Sequence, residues 1–196
     1  GSEPTAASPR YTGPVEIGKS ARFRATALRE GGENASYSRE FAFSKSTGRP
    51  AVLNTKPNDS YTFEGASLLV DGYHSRPVFT SGAWLGYLDE PLDVTIDMGG
   101  EQSYRSVELE TLAEKGDWIF PPSSVTVWVS DNGTDFTEVA SVAVPEAKAG
   151  DADGIGRYRM QFPETSARYL KVVAQNAAAI PAWHPGAGSK GFLFVD

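Results

Sequence analysis

The chain has 196 residues, 40% of them hydrophobic and 22% charged, with a formal net charge of −7. That balance belongs to a folded chain rather than a disordered one. Lys and Arg are scattered singly, so an acidic surface excludes nucleic acid as a partner and speaks against anionic membranes. Cysteine is absent, which removes disulfides, thiolate zinc sites and cysteine nucleophiles, and no apolar run reaches the roughly 18 residues of a membrane span.

Strand-like runs follow one another along the chain, punctuated by Gly, Pro, Asn and Asp. Val15–Ile17, Ala21–Leu28 and Tyr37–Ser44 come first. In the second run Phe23, Ala25 and Ala27 alternate with Arg22, Arg24 and Thr26, the pattern of a half-buried strand. Gly31-Gly32-Glu33-Asn34 supplies a turn. Lys45–Asp59 reads as a linker or crossover, with a module boundary near residue 47. Further strands are expected at Leu68–Asp71, Leu92–Met98, Tyr104–Leu112, Ser124–Ser130, Thr137–Val142, Gly156–Phe162, Ala167–Ala174 and Lys190–Val195, while Asp59–Ala66 and Asn176–Pro181 read as loops. Eight short strands predict an all-β fold, an antiparallel β-sandwich or jelly roll over 48–196. A partial small β-sandwich module over 1–47 precedes it. Val125, Val127 and Val129 alternate with Thr126, Trp128 and Ser130 ahead of Asn132-Gly133, a hairpin signal. Trp128 then faces either a second inner layer or the surface. Gly1–Thr5 reads as the middle of a longer chain and Phe192–Asp196 as a strand in progress, so an excised fragment is expected.

Ser67-Leu68-Leu69-Val70-Asp71-Gly72, Trp84 and Val94–Gly99 resemble the opening of a coagulation factor V/VIII type C (discoidin) domain. Pro122–Gly133 resembles its central hairpin, and Ala167-Arg168-Tyr169-Leu170-Lys171-Val172 its late strand. The likeness spans about 55–196. Gly1–Thr5, Tyr11–Val15 and Ala21–Ala25 resemble the small C-terminal module of bacterial chitobiases and β-N-acetylhexosaminidases. Together the pair is similar to the C-terminal end of glycoside hydrolase family 20 enzymes. The resemblance implies a galactose-binding-domain-like, family 32-like carbohydrate-binding accessory of an exported bacterial enzyme. Its partners are an upstream catalytic domain of the same chain and a glycan ending in N-acetylhexosamine or galactose.

Catalysis within this stretch has little to stand on. Family 20 enzymes use an adjacent Asp-Glu pair, and Asp89-Glu90 lies in a polar turn before Pro91 without the family's flanking residues. The resemblance also implies a structural Ca²⁺ near the Asp-Gly loop. Its carboxylate is Asp71, with the backbone of Leu68, Tyr73 and Arg76, and its last-strand acid falls just beyond Asp196. The residue-level alternative is that Asp71 caps a tight turn.

A sugar ring needs an exposed aromatic platform beside a few polar groups. Trp84 sits at the family's core position. Trp118, beside Lys115 and Asp117, and Trp183-His184 lie in loops between strands, and Tyr73-His74 follows the Asp-Gly turn. These three loops gather at one end in discoidin folds, which makes Tyr73, His74, Trp118, Trp183 and His184 the candidate carbohydrate-binding residues. Trp118 and Trp183 either form a ligand platform or plug the barrel end over hydrogen-bonded histidines. In the second case the module braces a catalytic barrel and binds no glycan.

Overall fold

The computed structural model describes residues 2–29 and 34–196, so the expected turn at Gly31, Gly32 and Glu33 lies outside the described residues. Within them the chain forms nine strands and four short 3-10 turns. β1 (Ala21–Ala27) and β2 (Ala35–Phe41) make an antiparallel pair with Ala21 opposite Phe41. Its expected inward face is realised only at Phe23, which is half-buried. Ala25 and Ala27 are exposed while Arg24 and Thr26 are half-buried, because this two-stranded ribbon has no second layer to cover it. Val15–Ile17, expected as a strand, forms none among the described residues.

The other strands form one seven-stranded sheet. They are β3 (Ala51–Leu53), β4 (Leu85–Tyr87), β5 (Leu92–Ala113), β6 (Ser124–Ser130), β7 (Thr137–Ala143), β8 (Gly154–Gln175) and β9 (Leu193–Val195). The order is β4-β9-β5-β8-β6-β7, with β3 also on β5 and every pairing antiparallel. Four expected strands are really two. β5 and β8 each run 22 residues and pair along their whole length, with register shifts at Asp97/Gln102 and Tyr104/Ser106. Bulges there bend both strands together, folding the sheet over its own core. Leu68–Asp71 is corrected from strand to a 3-10 turn, Gly65–Val70, which buries Leu68 and Val70 against that core.

Alternation decides the inside. Val125, Val127 and Val129 of β6 are buried beside Val94, Leu170, Val172 and Leu109. Trp128 is half-buried on the opposite face, across from Glu138 and Lys171, so it belongs to the outer surface. Trp84 is fully buried in a second cluster with Leu112, Ile119 and Phe194. At the β6–β7 hairpin Gly133 takes φ +77°, and the Tyr169 ring lies close against it.

Ion pairs stitch β5 to β8 on either side of the bend, among them Arg105 with Glu164 and Arg168 with Asp97. Arg168 Nε and Nη2 donate to the Asp97 carboxylate at 2.9 and 2.8 Å, and the Gly99 N–H adds a third bond. The Arg168 hydrogen bonds, with Gly99 behind them, lower the Asp97 pKa to about 2. An unfolded Asp titrates near about 4, so this contribution is complete above that pH and is lost as pH falls toward 2. Arg168→Met is therefore expected to lower stability at neutral pH and to flatten its fall between about pH 4 and 2, the two proteins converging below that range, as followed by urea unfolding with circular dichroism.

Candidate functional site

Two loops meet at one end of the sheet. The first leaves β5 through a 3-10 turn, Lys115–Asp117, and delivers Trp118 in the left-handed region at φ 64°. A non-glycine residue there is strained, and its surroundings hold it. The Trp118 N–H donates to the Lys115 carbonyl at 3.0 Å, and Glu114 and Ile119 exchange main-chain bonds. Lys115 does not reach solvent beside the tryptophan. It is buried, and its Nζ donates to the Asp151 carbonyl and the Asp153 carboxylate, anchoring the turn from beneath. Asp117 remains exposed.

The second loop, between β8 and β9, carries Trp183 and His184. His184 is buried and satisfied on both nitrogens. Nδ1 accepts the Gly186 N–H, so Nε2 carries the proton and donates to the Lys115 carbonyl, each at 3.0 Å. The imidazole thus fastens the two loops together. Its ring stands edge-on to Trp118, Trp183 and Phe120, with centroids 5.5–6.1 Å away. Trp118 lies against Gly186 so closely that an added Cβ would stand 2.8 Å from the ring. Trp183 Nε1 donates to the Ala147 carbonyl at 3.0 Å. Both indoles are held on one side and still keep 43% and 40% of their surface exposed. Beside them runs an apolar groove of about 360 Å³ lined by Phe120, Pro122, Ala147, Ala178 and Pro181.

No contact among the described residues brings Tyr73 and His74 to this cluster. The Arg39 guanidinium lies 3.5 Å from the Tyr73 ring centroid, Phe41 pairs with Tyr73, and the Ala42 N–H donates to the Gly72 carbonyl. Tyr73 thus docks the β1–β2 ribbon on the sandwich. His74 Nδ1 approaches Glu110 Oε1 at 2.9 Å, an atom shared with Arg157, while Glu110 Oε2 is buried without a partner.

Asp71 caps its turn by accepting the Tyr73 N–H at 2.6 Å, and burial raises its pKa. The last-strand acid is expected just beyond Asp196; Asp196 itself lines the same pocket as Asp71. Its Oδ2 accepts the Ser75 N–H at 2.9 Å. Burial first, then Asp71 and Glu110, push its pKa up to about 7 against the opposing Ser75 bonds. Neither Asp71 nor Asp196 forms an ion pair among the described residues, although Arg39 and His74 act on Asp71 from further off, and a pair of carboxylates of this kind suits a hard cation. The Arg76 carbonyl does not suit one, because it already accepts Trp84 Nε1 and the Val78 N–H. Among the described residues no three His, Asp or Glu side chains converge on one point, so a cation here would depend on Asp71, Asp196 and carbonyls. Asp89 and Glu90 are engaged elsewhere, with Lys190 and the Lys56 N–H.

Sequence comparison agrees with this architecture. Residues 54–189, more than half of the chain, match the F5/8 type C domain, and the chain belongs to that family. Residues 1–39 match the chitobiase/β-hexosaminidase C-terminal domain. No curated protein matches the chain. Similar solved structures include the family 32 carbohydrate-binding module of Clostridium perfringens NanJ in complex with galactose. It is 15% identical over 80% of this chain and 98% of that one, at TM-score 0.47. Chitosan-binding module 2 from the chitosanase/glucanase of Paenibacillus sp. IK-5, in complex with chitotriose, is 15% identical over 78% and 98%, at TM-score 0.47. CpGH89CBM32-5 from Clostridium perfringens, in complex with GalNAc-β-1,3-galactose, is 15% identical over 74% and 93%, at TM-score 0.45. Among the described residues no helix is long and apolar enough to cross a membrane.

Proposed function

We propose that this chain is a non-catalytic carbohydrate-binding accessory of an exported bacterial β-N-acetylhexosaminidase, holding an upstream catalytic domain near its glycan. The observation that carries this reading is the pair of half-exposed indoles, Trp118 and Trp183, fixed through the one buried His184. Rigid aromatic faces offer a surface to the apolar C–H side of a pyranose, and exposed Asp117 offers it a hydrogen-bond acceptor. The ligand class is a glycan ending in N-acetylhexosamine or galactose. Expected affinity is millimolar, about −4 kcal/mol, and tethering turns such weak binding into high local concentration. A glycan array with the isolated chain, followed by titration of hits, tests this. Retention of terminal N-acetylhexosamine or galactose supports it. Silence across the array favours the second reading, a module that braces the catalytic barrel; the fixed Trp183 Nε1 and the closeness of Trp118 to Gly186 support that reading.

A Ca²⁺ ion held by Asp71, Asp196 and the carbonyls of Leu68 and Tyr73 belongs to the same proposal. It would supply charge compensation to the Asp-Gly loop and no chemistry. Calcium at a hundred times its Kd adds about 2.7 kcal/mol to stability. Melting in calcium against chelator is expected to show a rise in Tm that Asp71→Asn removes. Equal melting curves for the unaltered chain would dismiss the ion.

A further inference from the structure

The apolar groove beside Trp183 has a chemistry of its own. Phe120 and Ile180, both buried, line it together with Pro121, Pro122 and Pro181. These walls are held in place. The Phe120 N–H donates to the Phe192 carbonyl at 2.9 Å, the Ile180 N–H to the Ser189 carbonyl at 2.8 Å, and the Gly188 N–H to the Ile180 carbonyl at 3.0 Å. At about 360 Å³ the groove lies at the small end of ligand sites, about 300–1,000 Å³. It is continuous with the indole platform. Trp183 Nε1 donates to the carbonyl of Ala147, its ring centroid lies 6.4 Å from that of Phe120, and both of these residues line the groove.

Few polar side chains line it. The Ser123 hydroxyl is already engaged, donating to the Asn176 carbonyl at 2.9 Å. Glu146 is exposed, and no hydrogen bond or ion pair engages its carboxylate among the described residues. The N–H groups of Ala178 and Ala179 likewise donate to no protein acceptor among them. The groove thus sets apolar walls beside a free carboxylate and free main-chain donors. A sugar hydroxyl turned toward such walls gives up its bonds to water without replacement. An acetamido group meets every part. Its methyl suits the walls, its carbonyl accepts from a main-chain N–H, and its N–H donates to the carboxylate.

We infer that this groove receives the acetamido group of a 2-acetamido sugar whose ring stacks on Trp183. The module then selects N-acetylhexosamines over their 2-hydroxy counterparts. This rests on the glycan-binding reading above and narrows its ligand.

Titration of the chain with the methyl β-glycosides of N-acetylglucosamine, glucose, N-acetylgalactosamine and galactose tests the inference, with backbone amide shifts followed by NMR. Within each of the two pairs the sugars differ only at C2. An N-acetyl sugar is expected to bind about tenfold or more tighter than its partner and to shift the amides of Glu146, Ala178 and Ala179. Ala178→Tyr, at an exposed position, fills the groove and is expected to erase that preference while leaving the affinity for the 2-hydroxy sugar unchanged. Glu146→Ala, also at an exposed position, is expected to weaken the N-acetyl sugar alone, by about threefold or more. Equal affinities within both pairs, or a preference that both variants keep, overturn the inference and leave glycan binding standing. No shift with any of the four sugars overturns both.

Discussion

Trp84→Ala is expected to cost about 3–5 kcal/mol of folding stability. The indole has no exposed surface and packs with Leu112, Ile119 and Phe194, with Tyr61, Phe79, Ile155 and Phe192 closing around that cluster. These neighbours sit on β5, β8, β9 and the loops and 3-10 turns around them, so they have little room to collapse into the space left behind. A void of this kind forfeits dispersion contacts on every wall. The polar handle matters less. Nε1 donates to the Arg76 carbonyl at 2.9 Å, but that oxygen also accepts the Val78 N–H, so removing the indole leaves no orphaned acceptor. Trp84→Phe, which keeps a ring in the space, is expected to cost clearly less than the alanine variant. Urea unfolding of the two variants and the unaltered chain checks both statements. An alanine variant within 1 kcal/mol of the unaltered chain would mean that the site is not the packing keystone its burial indicates.

The same tryptophan shows which parts of the fold were legible in sequence. Long alternating runs such as Val125–Val129 declare their buried face without outside help, and the structure buries that face. β3 and β4 did not declare themselves. Val52 is exposed and β3 exists only through its pairing with Val94–Ile96, while Leu85-Gly86-Tyr87 is buried on every side and shows no alternation. The apolar run at Leu68–Asp71 suits a strand or a tight turn equally, and the positive φ of Gly65 and Gly72 on either side decides for the turn. The bends in β5 and β8 are cooperative, since a bulge on one strand is matched by its partner, and no local pattern records that.

At the candidate site, the two tryptophans were visible as loop aromatics, but the fastening between them was not. His184 joins the loops through the Lys115 main-chain carbonyl, and main-chain acceptors leave no mark in sequence. Lys115 looked like a surface partner for Trp118, yet its buried ammonium serves Asp151 and Asp153 instead. The main-chain pairing of Asp196 with Glu110 and the bond it accepts from the Ser75 N–H join positions far apart in the chain, and no local pattern records them. Tyr73 and His74 were grouped with the tryptophans because the three loops gather at one end in the folds the sequence resembles, whereas their contacts here are with β2 and β5.

Removing either indole is expected to abolish detectable glycan retention while the fold survives. Binding near about −4 kcal/mol leaves little margin, since each 1.4 kcal/mol is tenfold in affinity. An aromatic contact worth about 0.5–1.5 kcal/mol is then enough to carry a millimolar site beyond detection. Stability responds differently at the two positions. Trp118 occupies φ 64°, so Trp118→Gly relieves a strained backbone while it deletes the ring, and the two effects oppose one another. Trp183→Ala gives up the bond to the Ala147 carbonyl and contacts with Phe120 and His184, but its ring was already 40% exposed. A loss of about 1–2 kcal/mol is expected there. Trp118→Gly and Trp183→Ala should therefore melt cooperatively within several degrees of the unaltered chain and fail to bind any glycan that it retains. Retained binding in both variants would move the sugar site elsewhere on the sandwich. Collapse of the melting transition in both would identify the tryptophans as a plug over this end of the sheet, because a ring that closes the core takes the fold with it when removed.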